Sequence, residues 1–169
     1  MRDFMAAYVR IVERVNYRVG RMAMYFIFVM IGILLWSSLT KVFFTPALWT
    51  LEMAQFVMVA YFLLGGPYSI QIDSHVRMDL LYGDWTARRK AAVDSFTVLF
   101  LLIFLVVLLW GGIDSLIYSI GYGERSASPW RPYLWPVKLV MVAGIALMLM
   151  QAVAELFKDI ARLRDGTPA

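Results

Sequence analysis

"MAMYFIFVMIGILLWSSLT", residues 22–40, runs for nineteen positions without a charged side chain. As an α-helix rising 1.5 Å per residue it is about 28 Å long, close to the ~30 Å hydrocarbon core of a bilayer. Three more uncharged windows follow at 53–72, 95–113 and 139–154. The last becomes a full crossing if Lys138 and Glu155 stand at the two interfaces, where long side chains carry their charge toward water. The expected fold is an all-α integral membrane protein with four transmembrane helices, a single membrane domain over 1–169. Its predicted parts are an interfacial helix at 1–21, span 1 at 22–44, span 2 at 46–72 and a loop at 73–86. Span 3 follows at 87–119, an outer loop at 120–135, and span 4 with its extension at 136–164.

Composition agrees with lipid as the solvent. Hydrophobic residues make up 62% and charged residues 17% of the chain, against ~45–50% and ~25% in soluble domains. The net charge of +4 does not point to nucleic acid, because the basic residues gather at the ends of the apolar runs. Cysteine is absent, which excludes disulfide staples, thiolate metal sites and dithiol redox chemistry. The single histidine, His75, excludes bis-imidazole haem ligation. The first run is expected to be retained rather than cleaved as a signal peptide. It is too long, no small-residue cleavage site follows it, and Arg10, Arg14, Arg18 and Arg21 are spread over a long lead.

Twelve of the sixteen basic residues fall in the N-terminal lead, the central loop and the tail; only Lys41, Arg125, Arg131 and Lys138 lie in the other two connections. Both termini and the central loop are therefore expected in the cytoplasm. Arg18, Arg21, Arg88, Arg89 and Lys90 then face inner headgroups as membrane anchors, with Trp135 and Lys138 anchoring the outer side. In the lead, Phe4, Tyr8, Ile11, Val15 and Val19 recur at three and four residues. That spacing predicts an amphipathic helix lying in the cytoplasmic interface. Thr45 and Pro46 form a good start for the second span, a capping hydroxyl before a proline that needs no N–H in the first turn.

Polar residues inside spans are costly and so mark candidate sites. Glu52 and Gln55, three apart, share a face early in span 2. Asp114 stands at the outer end of span 3 and reads as a solvated helix end; Gln151 lies near the inner end of span 4. Gly65, Gly66 and Pro67 suit close helix packing and a kink. His75, Arg77 and Asp79 follow span 2, with nothing nearby to complete a metal or catalytic set. In the outer loop, "GYGERSASPWRPYLWP", Glu124, Arg125, Trp130 and Arg131 form a candidate docking surface for a periplasmic partner. There is no GxSxG, HExxH or phosphate-cradling glycine loop, so an enzyme is not expected, nor a metal or cofactor in this chain.

Taken in order along this topology, these pieces resemble a known family. The Glu52 and Gln55 pair, Gly65, "HVRMD" at 75–79, the basic "ARRK" at 87–90, "GERSASP", "WPVK" and "LMLMQAVAEL" resemble the small membrane subunit of tripartite ATP-independent periplasmic (TRAP) transporters. The likeness runs from about residue 15 to 163. It implies a non-catalytic subunit in a bacterial inner membrane that scaffolds a large multi-span permease subunit. That partner would move an organic acid with sodium, delivered by a periplasmic substrate-binding protein. Carried over, Glu52 and Gln55 are polar contacts within the assembly, and His75, Arg77 and Asp79 order the cytoplasmic loop. The alternative is a self-sufficient four-span proton-coupled carrier acting as a homodimer, with Glu52 as its membrane carboxylate. Membrane lipids are partners on either reading.

Overall fold

The computed structural model describes residues 2–72 and 87–165, with side chains over 5–72 and 97–158. Helix α1 spans Arg2–Phe43, α2 Thr50–Gln71, α3 Ala87–Gly121 and α4 Trp135–Asp165. Each contains a stretch long and apolar enough to cross a membrane. The chain is all-helical among the described residues, apart from an isolated antiparallel bridge between Arg125 and Tyr133. His75, Arg77 and Asp79 lie outside the described residues. Arg88, Arg89 and Lys90 fall at the start of α3, with their side chains outside the description.

Two expected boundaries move. The lead at 1–21 and span 1 at 22–44 are not separate elements: α1 is one helix of 42 residues, about 63 Å long and twice the thickness of a hydrocarbon core. No proline or glycine pair interrupts it, and Gly20 sits where a neighbour needs room rather than at a break. The second helix begins at Thr50, not at Pro46. The Thr50 hydroxyl lies 3.0 Å from the Ser37 hydroxyl and 3.0 Å from the Ala47 carbonyl oxygen, which ties the turn after α1 to the first residue of α2. Glu52 is thereby in the first turn of α2, closer to the helix end than a start at residue 46 implies.

In lipid there is no hydrophobic drive to bring apolar helices together, so close backbone approach and polar pairing select the contacts. α4 is the hub: it packs on α1, α2 and α3, α1 also packs on α2, and α3 rests chiefly on α4. At the α2–α4 crossing, a Cβ added to Gly144 would lie 2.8 Å from both the Cβ and the carbonyl oxygen of Leu63. Pro67, buried inside α2, has no N–H to give the Leu63 carbonyl four residues earlier. The crossing thus sits where an α2 carbonyl lacks its usual helical donor and α4 has no side chain, a geometry suited to a weak Cα–H···O contact. Gly20 makes the same kind of room for Tyr68 at the α1–α2 crossing. Of the two glycines singled out in span 2, Gly66 abuts the Met148 side chain of α4, whereas Gly65 has nothing within contact distance of an added Cβ. A small apolar core of Leu105, Ile145 and Ala152 joins α3 to α4.

Candidate functional sites

Polar side chains within the helices gather at the two ends of the bundle. At the end where α1 begins and α4 finishes, termed the inner end for its place in the chain, Asn16 on α1 and Gln151 on α4 are both almost fully buried, and Asn16 Nδ2 donates to Gln151 Oε1 at 2.7 Å. Gln151 Nε2 then donates to Glu155 Oε1 at 3.0 Å. Lys158 closes the chain with ion pairs of 2.7 Å to Glu155 and 2.8 Å to Glu13. Tyr8 adds a hydrogen bond from its hydroxyl to the Met150 carbonyl at 3.2 Å and an edge-on contact to Phe157. The lead of α1 is therefore docked along the extension of α4. The orientation of the two amides is fixed by Glu155, which accepts only from the NH₂ end of Gln151.

Among the described side chains, the buried face of this part of α1 lies apart from Ile11 and Val15. Val12, Asn16, Gly20 and Ala23 are the buried positions, while Ile11 and Val15 are exposed. Small and hydrogen-bonding residues pack against helices, and bulky apolar ones are left for lipid, as expected when lipid is as apolar as leucine. An asparagine recurring in register with Val12 and Gly20 is the signal that could have revealed this face.

At the opposite end, termed the outer end, the loop between α3 and α4 is hydrogen-bonded to itself and to α2. Glu124 N–H donates to the Ser119 carbonyl at 3.0 Å, Ser126 N–H to the Pro132 carbonyl at 2.9 Å, and Leu134 N–H to the Glu124 carbonyl at 3.1 Å. Gly123 takes a left-handed φ of 59°, and Arg131, which has a Cβ to accommodate, takes 50°. Such a conformation is uncommon outside glycine; here the Arg131 N–H donates to the carbonyl and hydroxyl of Ser128. Arg125 stacks over the Tyr133 ring at 4.1 Å and hydrogen-bonds its hydroxyl.

Two side-chain contacts hold this loop to the bundle. The Ser126 hydroxyl donates a hydrogen bond to Glu52 Oε1, clasping the loop to α2 beside the positive end of that helix dipole. Lys138 on α4 forms an ion pair of 2.5 Å with Glu124 and approaches the Ser115 carbonyl at 3.4 Å. The Lys138 hydrogen bond holds the Glu124 carboxyl below its ordinary range, against the opposing effect of partial burial.

The structure does not bring the predicted residues to one place. Glu52 meets Ser126, whereas Gln55 stays exposed. Lys138, expected as an anchor to lipid, has a carboxylate partner within the chain. Arg18 and Arg21 are exposed, and Trp130, Arg131 and Trp135 stand at the outer surface. Asp114 is exposed but inside α3, which continues to Gly121. Glu13, Asn16, Lys158 and Ser126 were not singled out by sequence. As a carrier's titrating carboxylate Glu52 is poorly placed, at a helix end and bonded to a loop serine, and the self-sufficient carrier is not supported.

No curated protein and no solved structure matches the chain. The family model for the DctQ component of tripartite ATP-independent periplasmic transporters matches residues 30–162. That region holds the last third of α1, all of α2 and α3, the outer clasp and the α4 side of the inner network. The match covers more than three quarters of the chain, and with four helices able to span a membrane it places this protein in the DctQ family, the small membrane component of TRAP transporters.

Proposed function

We propose that this chain is the non-catalytic scaffold of a sodium-coupled, binding-protein-dependent transporter for an organic acid. Transporters of this family work with a large permease subunit and a periplasmic binding protein. On this reading the large subunit carries the substrate and sodium, and the four-helix unit stays fixed in the bilayer. Both termini face the cytoplasm, and Glu124, Arg125, Trp130 and Arg131 present the outer loop to the binding protein. Gln55 contributes a polar contact to the large subunit, and His75, Arg77 and Asp79 order the cytoplasmic loop.

One observation carries the proposal: among the described residues, polar side chains at both ends of the bundle join the helices to each other and to the outer loop. Asn16, Gln151, Glu155, Lys158 and Glu13 link α1 to α4, Thr50 links α2 to α1, and Glu52 links α2 to the outer loop. Groups held this way stiffen a unit instead of lining a path for solute. The test is reconstitution. The chain alone in liposomes with a sodium gradient should move no carboxylate, and co-expression with the large subunit should yield a co-purifying complex that does so when the binding protein is added. Uptake by the chain alone would overturn the scaffold reading.

A further inference from the structure

The side of α1 that faces away from the bundle carries a second pattern. Arg10, Arg14, Arg18, Arg21, Tyr25 and Phe28 recur at intervals of four, four, three, four and three residues. At 3.6 residues per turn these six fall within about 80° of one another. Val12, Asn16, Gly20 and Ala23, the buried face, fall within about 80° on roughly the opposite side. All six residues of the outer stripe are exposed, Tyr25 by 64% and Phe28 by 68%. Because α1 is unbroken, the four guanidinium groups form a ladder about 16 Å long that leads directly into the membrane span.

We propose that this ladder is a binding site for anionic phospholipid headgroups. Three features favour lipid over an acidic protein segment. Along one face the side chains change from guanidinium to phenol to phenyl in the order of increasing depth in a bilayer, and tyrosine is the side chain suited to the headgroup boundary. Glu13, the one acid of the lead whose side chain is described, is held by Lys158 and so is already paired away from the stripe. Arg21 also lies over the Tyr17 ring at 5.5 Å, which places an amphipathic ring beside the rung nearest the span. Guanidinium groups bind phosphate oxygens in bidentate fashion, and successive rungs lie closer together than the ~8 Å screening length at physiological salt. The inference is independent of the scaffold reading and of which leaflet the ladder meets.

The test uses the full chain, delipidated in neutral detergent and titrated with phosphatidylglycerol or phosphatidylcholine, with bound lipid counted by native mass spectrometry. The wild type should retain phosphatidylglycerol preferentially, in a manner weakened by salt. Each Arg→Gln substitution should lower its apparent affinity by about fivefold, the ratio equivalent to ~1 kcal/mol per basic residue at an anionic surface. Replacing all four should abolish the preference, with helical content unchanged by circular dichroism. A control carrying Arg125→Gln and Arg131→Gln should keep it. The proposal fails if the wild type shows no preference, or if the fourfold variant keeps the preference. It fails equally if that variant binds lipid as before but no longer co-purifies with the large subunit, since the ladder would then face protein. Should the fourfold variant lose helical content, the single variants decide: unchanged affinity in all of them overturns the proposal.

Discussion

Asn16 and Gln151, separated by 135 positions in sequence, share a 2.7 Å hydrogen bond with both side chains almost completely buried. That bond fixes the rotational setting of α1 against α4, because only one face of each helix can satisfy it. Interhelical hydrogen bonds in membranes average ~0.6 and reach about 2 kcal/mol, and an orphaned buried partner costs ~1–3 kcal/mol. Asn16→Leu should therefore destabilise the unit by roughly 1–3 kcal/mol, read as a fall in unfolding midpoint in detergent. The double variant Asn16→Leu with Gln151→Leu should recover part of the loss. A double variant as unstable as the sum of the two single changes would show that the amides are not coupled.

Gly144 and Gly65 should respond oppositely to alanine. At Gly144 the new Cβ meets the Leu63 carbonyl at 2.8 Å, and a backbone oxygen cannot swing away as a side-chain end does. Gly144→Ala should cost about 1–3 kcal/mol through displacement of α2 from α4. Gly65→Ala has open space and should be neutral or slightly stabilising, by up to ~1 kcal/mol from helix propensity. Equal thermal shifts for the two variants would contradict the crossing described here.

The outer loop should loosen when its bond to α2 is removed. Ser126→Ala leaves Glu52 without the hydroxyl that it accepts from, a hydrogen bond to a charged group and so worth ~1.5–3 kcal/mol. Trypsin, which can cut after Arg125, should cleave the variant several-fold faster than the wild type in detergent. Unchanged cleavage would mean that the loop is held by its internal hydrogen bonds alone.

Acid should release the same loop by a different route. Lys138 holds the Glu124 carboxyl below its usual value of 4.5, so the folded form binds the proton less readily than the unfolded one. The stabilisation from this pair is present above about pH 4.5 and is lost as pH falls through the lower folded value. Fluorescence of Trp130 and Trp135, followed from pH 6 down to about 3, should show a transition that Glu124→Gln removes. A transition that persists in the variant would assign it to another group.

Sequence by itself determined the solvent and the number of crossings. Uncharged runs such as 22–40 report a property of each segment alone, and a bilayer sorts segments by that property. The order of "ARRK", "GERSASP" and "WPVK" was legible too, and it identified the family before any contact was known. What hydropathy does not encode is which faces meet, since a helix that is apolar all round presents lipid and neighbours with similar surfaces. Thus, of the Gly65 and Gly66 pair read as a packing site, only Gly66 meets a neighbour, and Gly144, which was not singled out, is a packing site as well. Lys138 looked like an anchor and is paired with Glu124. Only the tertiary structure placed Ser126 against Glu52 and turned the lead of α1 onto α4 through Asn16, Glu13 and Tyr8. The physical reason is that, in lipid, helix pairing depends on a few small residues and satisfied polar groups far apart in the chain, and no periodicity within a single helix specifies them.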